Sequence, residues 1–337
     1  MSFSRTPLQM AGDFFKEYAL YFVFVILLAV IITQDSTFLN ITNLSNILTQ
    51  SSVRMIIALG VAGVIVTRGT DLSVGRQVGL AAVVAATMLQ AVDNVNKVFP
   101  EMGVMPIPVV ILLVCAIGAL IGLLNGIIVA ILNVTPFIAT LGMQFVSLGL
   151  CAVIAQVQTQ TYPSLVSPDG WFKKVLYKAN SLPVGIIWLA AFFALAWFIL
   201  KRTKLGRYTY AIGSNEEAVE LSGVMVSTWK FWVYVLNGFF CGLAGIIYAA
   251  TFSSITPQTG NGQEMYAIAA CVIGGTSLAG GIGSLWGTIL GVFVICVLKT
   301  GLLSMQLPVQ WQQVLIGVVV LLAVLMDVIR TRRAKKV

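Results

Sequence analysis

Charge is scarce in this 337-residue chain. Only 9% of residues are Asp, Glu, Lys or Arg, while 58% are hydrophobic. Soluble domains carry roughly a quarter charged residues, so this composition excludes a soluble globular protein and predicts a polytopic membrane protein. Histidine is absent altogether. A zinc or haem site therefore lacks its commonest ligand, and an intramembrane enzyme lacks the usual general base. The five cysteines (Cys115, Cys151, Cys241, Cys271 and Cys296) are scattered through apolar runs without C-x-x-C spacing. They read as small core residues, not as ligands or disulfides.

Acidic residues are the scarcer sign, 12 against 20 Lys and Arg. The basic residues collect at the ends of apolar segments, which is a topology signal and excludes a phosphate-binding face for nucleic acid. Arg5 and Lys16 precede an apolar run from Tyr18 to Ile32. Thr33-Gln34-Asp35 offers no small-residue cleavage site, so this run is read as an uncleaved first span.

Apolar segments fall near 18–33, 54–67, 77–91, 107–132, 136–157, 183–200, 231–251, 264–279, 284–299 and 309–328. A straight helix needs roughly 20 residues to cross the hydrocarbon. Segments 54–67, 77–91, 264–279 and 284–299 are short by that measure. They are expected to be half-helices, or helices whose ends lie inside protein. The predicted fold is thus all-α: one transmembrane domain over 1–337, a bundle of about ten membrane helices, some short or broken. With both termini cytoplasmic, Arg68, Arg76, Lys201, Arg202, Lys204, Arg207, Lys230 and the basic tail from Arg330 fall inside with Arg5 and Lys16. Lys173, Lys174 and Lys178 fall outside. Inverting the chain reverses that bias.

Between two spans, the loop 201–230 contains Ser214-Asn215-Glu216-Glu217-Ala218-Val219-Glu220-Leu221-Ser222-Gly223. It predicts a short helix over about 215–222. Ser214 and Glu217 have capping-box spacing, Glu216 and Glu217 suit the positive N-terminal end, and Gly223 is placed to stop it. A capped, charged helix between spans is a handle for a soluble partner.

Gly69-Thr70-Asp71-Leu72-Ser73-Val74-Gly75 and Gly275-Thr276-Ser277-Leu278-Ala279-Gly280-Gly281 share the pattern G-T-x-L-x-x-G. Such paired interruptions signal structural repeats in transporters or arise as coincident glycine turns. The first break is charged. The second is neutral and suits close packing against a neighbouring helix, including one from a second copy of the chain. Asp71, flanked by Arg68 and Arg76, reads either as a local ion-pair cluster or as part of a gate.

Asn125, Asn133, Gln144, Gln156 and Asn237 are isolated polar residues within or beside spans. Singly, each reads as interhelical hydrogen bonding. As a set, with Asp71, Thr276 and Ser277, they are candidates for the path of an uncharged polyhydroxyl solute. An ion or proton relay would want carboxylates or histidines in mid-membrane.

Several runs resemble a known family. They are Gly69 to Gly75, Asn125-Gly126, Pro136-Phe137-Ile138-Ala139-Thr140-Leu141-Gly142, Ala211 through Gly223, and Ala267 through Gly281. In family order, they resemble the monosaccharide-import permeases of ATP-binding-cassette transporters (ribose, xylose, arabinose and galactose type). Leu44 to Arg54 and Gly75 to Thr87 are similar to the galactose and methyl-galactoside branch. Residues 143–182 carry no matching motif, and Tyr266 replaces a residue that is often acidic or polar.

The resemblance implies a type II, vitamin-B12-importer-like architecture in a bacterial inner membrane. It also implies pairing with a second copy and docking of cytoplasmic ATPase subunits. Sugar would arrive from a periplasmic or lipid-anchored binding protein. ATP and Mg would be used by the partner ATPase, with no cofactor on this chain. The sequence indeed has no G-x-x-x-x-G-K-[ST] loop. Glu217-Ala218 and Gly223 resemble the E-A-A-x-x-x-G loop that fits into the ATPase, which assigns Ser214, Asn215, Glu216, Glu217, Ala218, Leu221 and Gly223 to coupling. Val219 stands at the third motif position. The alternative from a different class is an ion-coupled secondary sugar transporter, which also uses broken helices.

Overall fold

A computed structural model describes residues 24–36, 38–90, 97–103, 105–155, 176, 184–252 and 255–334. Lys173, Lys174, Lys178 and Gln156 lie outside the described residues. The helices are α1 (Phe24–Gln34), α2 (Ile41–Val66), α3 (Val74–Met88), α4 (Ile107–Gly126) and α5 (Pro136–Ala155). They continue as α6 (Val184–Arg202), α7 (Lys204–Ser214), α8 (Glu216–Leu221), α9 (Val226–Thr251), α10 (Gln263–Ile273), α11 (Leu285–Ser304) and α12 (Val309–Ala334). No strand occurs among the described residues.

Seven of these are long and apolar enough to cross a membrane, and α1, α3 and α10 are shorter apolar helices. Two of the four segments read as short are in fact long. The segment 54–67 is the second half of the 26-residue α2, and 284–299 is part of the 20-residue α11. The reading stopped early in both because polar residues interrupt the hydropathy. In α2 those residues turn back on their own helix: Thr49 donates to the Ser45 carbonyl, Ser51 to Ile47 and Ser52 to Thr49. Their hydroxyls are thereby satisfied without leaving the helix.

The middle of the bundle is formed by α2 and α9, buried along most of their length. Helices α5, α6 and α12 present apolar side chains outward, among them Phe145, Val153, Ile187, Phe198 and Leu321. Such a surface is stable facing lipid. Between α4 and α9 the helices touch backbone to backbone. A Cβ at Gly118 would collide with the Gly238 carbonyl, one at Gly122 with the Tyr234 carbonyl, and one at Gly238 with the Gly118 carbonyl. Gly118/Gly122 and Gly238/Gly242 form facing small-xxx-small pairs, which allow this approach.

Both G-T-x-L-x-x-G segments interrupt helix, as their glycines predict. The first spans the turn 67–73 between α2 and α3, and the second lies in 274–284 between α10 and α11. The second packs closely, as its glycines suggested, and does so against segments of the same chain. Asp327 of α12 accepts from the Leu278 N–H at 3.1 Å and the Ser277 hydroxyl at 3.4 Å. Gly280 and Gly281 press against Arg68 and Ser214 of the same chain. A further non-helical stretch, 255–262, leads into α10, with Gly260 and Gly262 at positive φ. Gly75 and Gly79 of α3 lie directly on its Gly260 and Thr259 carbonyls, a contact that any side chain would block.

Candidate functional site

The most concentrated polar group in the fold is centred on Asp71, which is fully buried. The seven-residue turn 67–73 carries it inward from the end of α2. There it meets Asn237, the middle residue type of a helix whose neighbours are otherwise apolar. Asp71 Oδ1 accepts from the Ser73 N–H at 2.9 Å and from the Ser73 hydroxyl at 2.5 Å. Asp71 Oδ2 accepts from Asn237 Nδ2 at 2.8 Å, with Asn125 Nδ2 and Gln77 Nε2 each at 3.5 Å. Ser73 Oγ in turn accepts from Gln77 Nε2 at 2.7 Å and Asn125 Nδ2 at 2.9 Å. A carboxyl group out of water needs several hydrogen-bond partners, and these neutral amides and the hydroxyl supply them without a counter-charge.

The ion-pair reading of Asp71 is therefore corrected. Arg68 is turned toward α7, and Arg76 donates to the Pro257 carbonyl and to Gln258 Oε1. The same amides leave acceptors over. Gln77 Oε1, Asn125 Oδ1 and Asn237 Oδ1 are buried without a hydrogen-bond partner among the described residues. The cluster thus holds unused acceptor capacity of the kind a hydroxyl group can fill.

A second assembly joins the turn 67–73 to the short helix α8. Arg68 has a left-handed backbone, φ 62°. Its Nε donates to the Gly213 carbonyl at 2.9 Å and its Nη2 to the Ser214 carbonyl at 3.0 Å. These are C-terminal carbonyls of α7, which have no partner within the helix. Gly281 N donates to the Val66 carbonyl at 2.9 Å, and Tyr210 donates to the Gly283 carbonyl at 3.2 Å. Burial pushes the Tyr210 phenol above its ordinary pKa, so it stays a donor. Three segments distant in sequence, 66–68, 210–214 and 280–283, meet here. Gly213 has no room for a Cβ between the Val66 carbonyl and Gly281.

Helix α8 forms where the sequence predicts, but its start is one residue later. Asn215, extended at φ −154°, is the N-cap, and its Oδ1 accepts from the Ala218 N–H at 3.1 Å. Ser214 is instead the last residue of α7, and its hydroxyl bonds back to the Tyr210 carbonyl. The capping box therefore does not form. Both residues are good caps, and the extended asparagine wins because α7 still occupies Ser214. Glu216 pairs with Lys230 at the start of α9, Nζ to Oε1 at 2.6 Å. Gly223 stops the helix as expected, with φ 83°. Its N–H reaches the Glu220 carbonyl and that of Val224 the Val219 carbonyl, the two bonds of a Schellman motif. No residue of α8 is buried, and Leu221 is 89% exposed.

Of the path candidates, the fold unites Asp71, Asn125 and Asn237. Asn133 stands apart, exposed in the turn after a π-helical end of α4, with φ 55°. Thr276 and Ser277 lie in the second break; the Thr276 hydroxyl is buried with no partner among the described residues. Sequence reasoning missed Ser73 and Gln77 in the cluster and the role of Arg68. The spacing of Asp71, Ser73 and Gln77, two and then four residues, did signal a turn feeding one face of a helix. Nothing in the sequence announced that the segment at Pro257-Gln258-Thr259-Gly260 would pack on α3.

A many-spanned helical bundle with a buried polar cluster and a capped loop helix is an arrangement that suits a membrane transport protein. Residues 43–324 match the family described as the permease component of branched-chain amino acid transport systems, and the chain belongs to it. It is 46% identical to the galactose/methyl galactoside import permease protein of Haemophilus influenzae, over 96% of this chain and 97% of the relative. The corresponding Escherichia coli protein is 47% identical over 96% of this chain and 97% of its own length. The Escherichia coli ribose import permease protein is 39% identical over 90% of this chain and 91% of its own. No solved structure gives a match. The similarity extends through residues 143–182, where no motif was recognisable.

Proposed function

We propose that this chain is the membrane subunit of an ATP-binding-cassette importer that moves galactose, a methyl galactoside or a related monosaccharide inward across a bacterial inner membrane. The observation that carries this reading is the 46–47% identity to galactose/methyl galactoside import permeases along nearly the whole chain. The acceptor-rich cluster at Asp71, Asn125 and Asn237 supports it, since a sugar offers hydroxyl donors. We assign the path or gate to this cluster, with Asn133, Thr276 and Ser277 nearer the inner mouth. The ion-coupled alternative finds no support among the relatives.

The chain direction supports ten crossings in a single domain with both termini cytoplasmic. Two of the ten would be made by broken segments: the turn 67–73 with α3, and 255–262 with α10. The architecture would then be the type II plan that the sequence resemblance implies. In the loop 201–230, α8 would be the coupling helix, because it is short, capped and wholly unburied, and it offers the apolar Leu221 to a partner. Its role would be to pass ATP-driven closure of cytoplasmic ATPase subunits, which use the ATP and Mg, to the spans. A second copy of the chain and a periplasmic or lipid-anchored sugar-binding protein complete the assembly. In such a cycle ATP and the receptor bias two states of the bundle.

Reconstitution tests the reading. The chain, co-purified with its ATPase and placed in vesicles, should take up labelled galactose only when ATP and the binding protein are supplied. Uptake driven by an ion gradient without ATP would overturn it.

A further inference from the structure

We propose that Arg68 is the positioning residue that links α8 to the Asp71 cluster, so that displacement of the loop helix is delivered to the buried amides through the turn 67–73. The inference rests on the importer reading above. Asn215 alone separates α8 from Ser214, whose carbonyl Arg68 holds together with that of Gly213. On the other side, Gly69 and Thr70 alone separate Arg68 from Asp71, and three residues of extended chain reach only about 10 Å. Tyr234 of α9 donates to the Thr70 carbonyl at 3.3 Å, so the intervening link is itself held against the central helix.

Two features argue that the side chain, and not the turn alone, matters here. The left-handed backbone at residue 68 is one that glycine adopts without penalty and arginine does not. A turn needing only its shape is better made with glycine. The guanidinium also uses two of its donors on two successive carbonyls, a geometry that lysine's single point charge does not reproduce. Gly280 leaves room for the Arg68 stem, since a Cβ there would overlap Arg68 Cγ. The second glycine break thus forms the groove in which the link runs.

The test uses the assembled complex in vesicles and reads sugar taken up per ATP hydrolysed. Arg68→Gly keeps the turn and deletes the link; Arg68→Lys keeps the charge. The expected result is a roughly tenfold fall in the ratio for Arg68→Gly, within the range of ordinary coupling energies, and a smaller fall for Arg68→Lys. A ratio equal to the unaltered chain in Arg68→Gly would overturn the proposal. Should that variant fail to assemble, an unchanged ratio in Arg68→Lys would overturn it equally. ATP-independent uptake by the unaltered chain would instead sink the importer reading, and the link with it.

Discussion

Asn237 donates its side-chain N–H to the Asp71 carboxylate at 2.8 Å, across 166 positions of chain. This bond ties the non-helical turn 67–73 to the middle of α9, a helix buried along most of its length. The pairing is directional. It needs an acceptor at one of the two positions and a donor at the other.

The first prediction follows from that direction. Asp71→Asn replaces one of two accepting oxygens by a donor, so some of the buried donors that converge on position 71 lose their acceptor, at a cost of about 1–3 kcal/mol. Uptake should fall while membrane insertion and assembly persist. The exchange double variant Asp71→Asn with Asn237→Asp should recover part of the loss, because donor and acceptor are both restored. Full uptake by Asp71→Asn alone would show that the cluster has no part in transport.

The second concerns the loop helix. Asn215 caps α8 and Ser214 does not, so Asn215→Ala should destabilise the helix by about 1 kcal/mol. Ser214→Ala should do little to it. Gly223→Val forces a β-branched residue into a left-handed backbone and should be worse than either. Glu217→Lys places a cation at the positive end of the helix and should also impair it. In sugar-stimulated ATPase assays of the complex, the order of damage should therefore begin with Gly223→Val and end with Ser214→Ala. A reversed order would mean that the cap geometry is unimportant to coupling.

The third concerns the contact between α3 and the segment 255–262. A methyl group at Gly79 has no space before the Thr259 carbonyl, whereas one at Gly149 meets nothing within 4 Å. Gly79→Ala should lower the thermal stability of the purified protein, and Gly149→Ala should leave it unchanged or slightly raised. Equal behaviour of the two would argue that α3 and 255–262 are not in contact.

The fourth concerns orientation. All five native cysteines are buried and free, so the unaltered chain should react weakly with a membrane-impermeant thiol reagent. A cysteine at Leu221, which is 89% exposed, should label only after the membrane is opened. One at Lys174 should label from outside in intact cells. The opposite pattern would invert the topology and remove α8 from reach of a cytoplasmic partner.

Much of this architecture is legible in the sequence because glycine and charge mark it. Gly223 announces the end of α8, and the two G-T-x-L-x-x-G runs announce breaks that do occur. What sequence hides is of two kinds. Polar residues at helix positions, as in Thr49 to Ser52, look like loop, although a hydroxyl can satisfy itself on its own helix. The second kind is proximity. Asp71, Asn125 and Asn237 are each visible as isolated polar residues, but no local pattern tells that they share one site. The ion-pair reading of Asp71 failed for a related reason: neighbours of opposite charge were weighed, while the donors are the nearby but uncharged Ser73 and Gln77 and two amides 54 and 166 positions away.

The glycine seam between α4 and α9 carries a mechanical consequence. Its facing surfaces hold no side chain that can change rotamer at the points of closest approach. Axial sliding by one turn, about 5.4 Å, would bring a Cβ from Val114 or Tyr234, the next residues on the same two faces, toward positions where only glycine now fits. The two helices are thus keyed, like a shaft in its slot, and must tilt or travel as one beam. Any opening of the bundle has its bearing elsewhere, at the broken segments on either side of that beam.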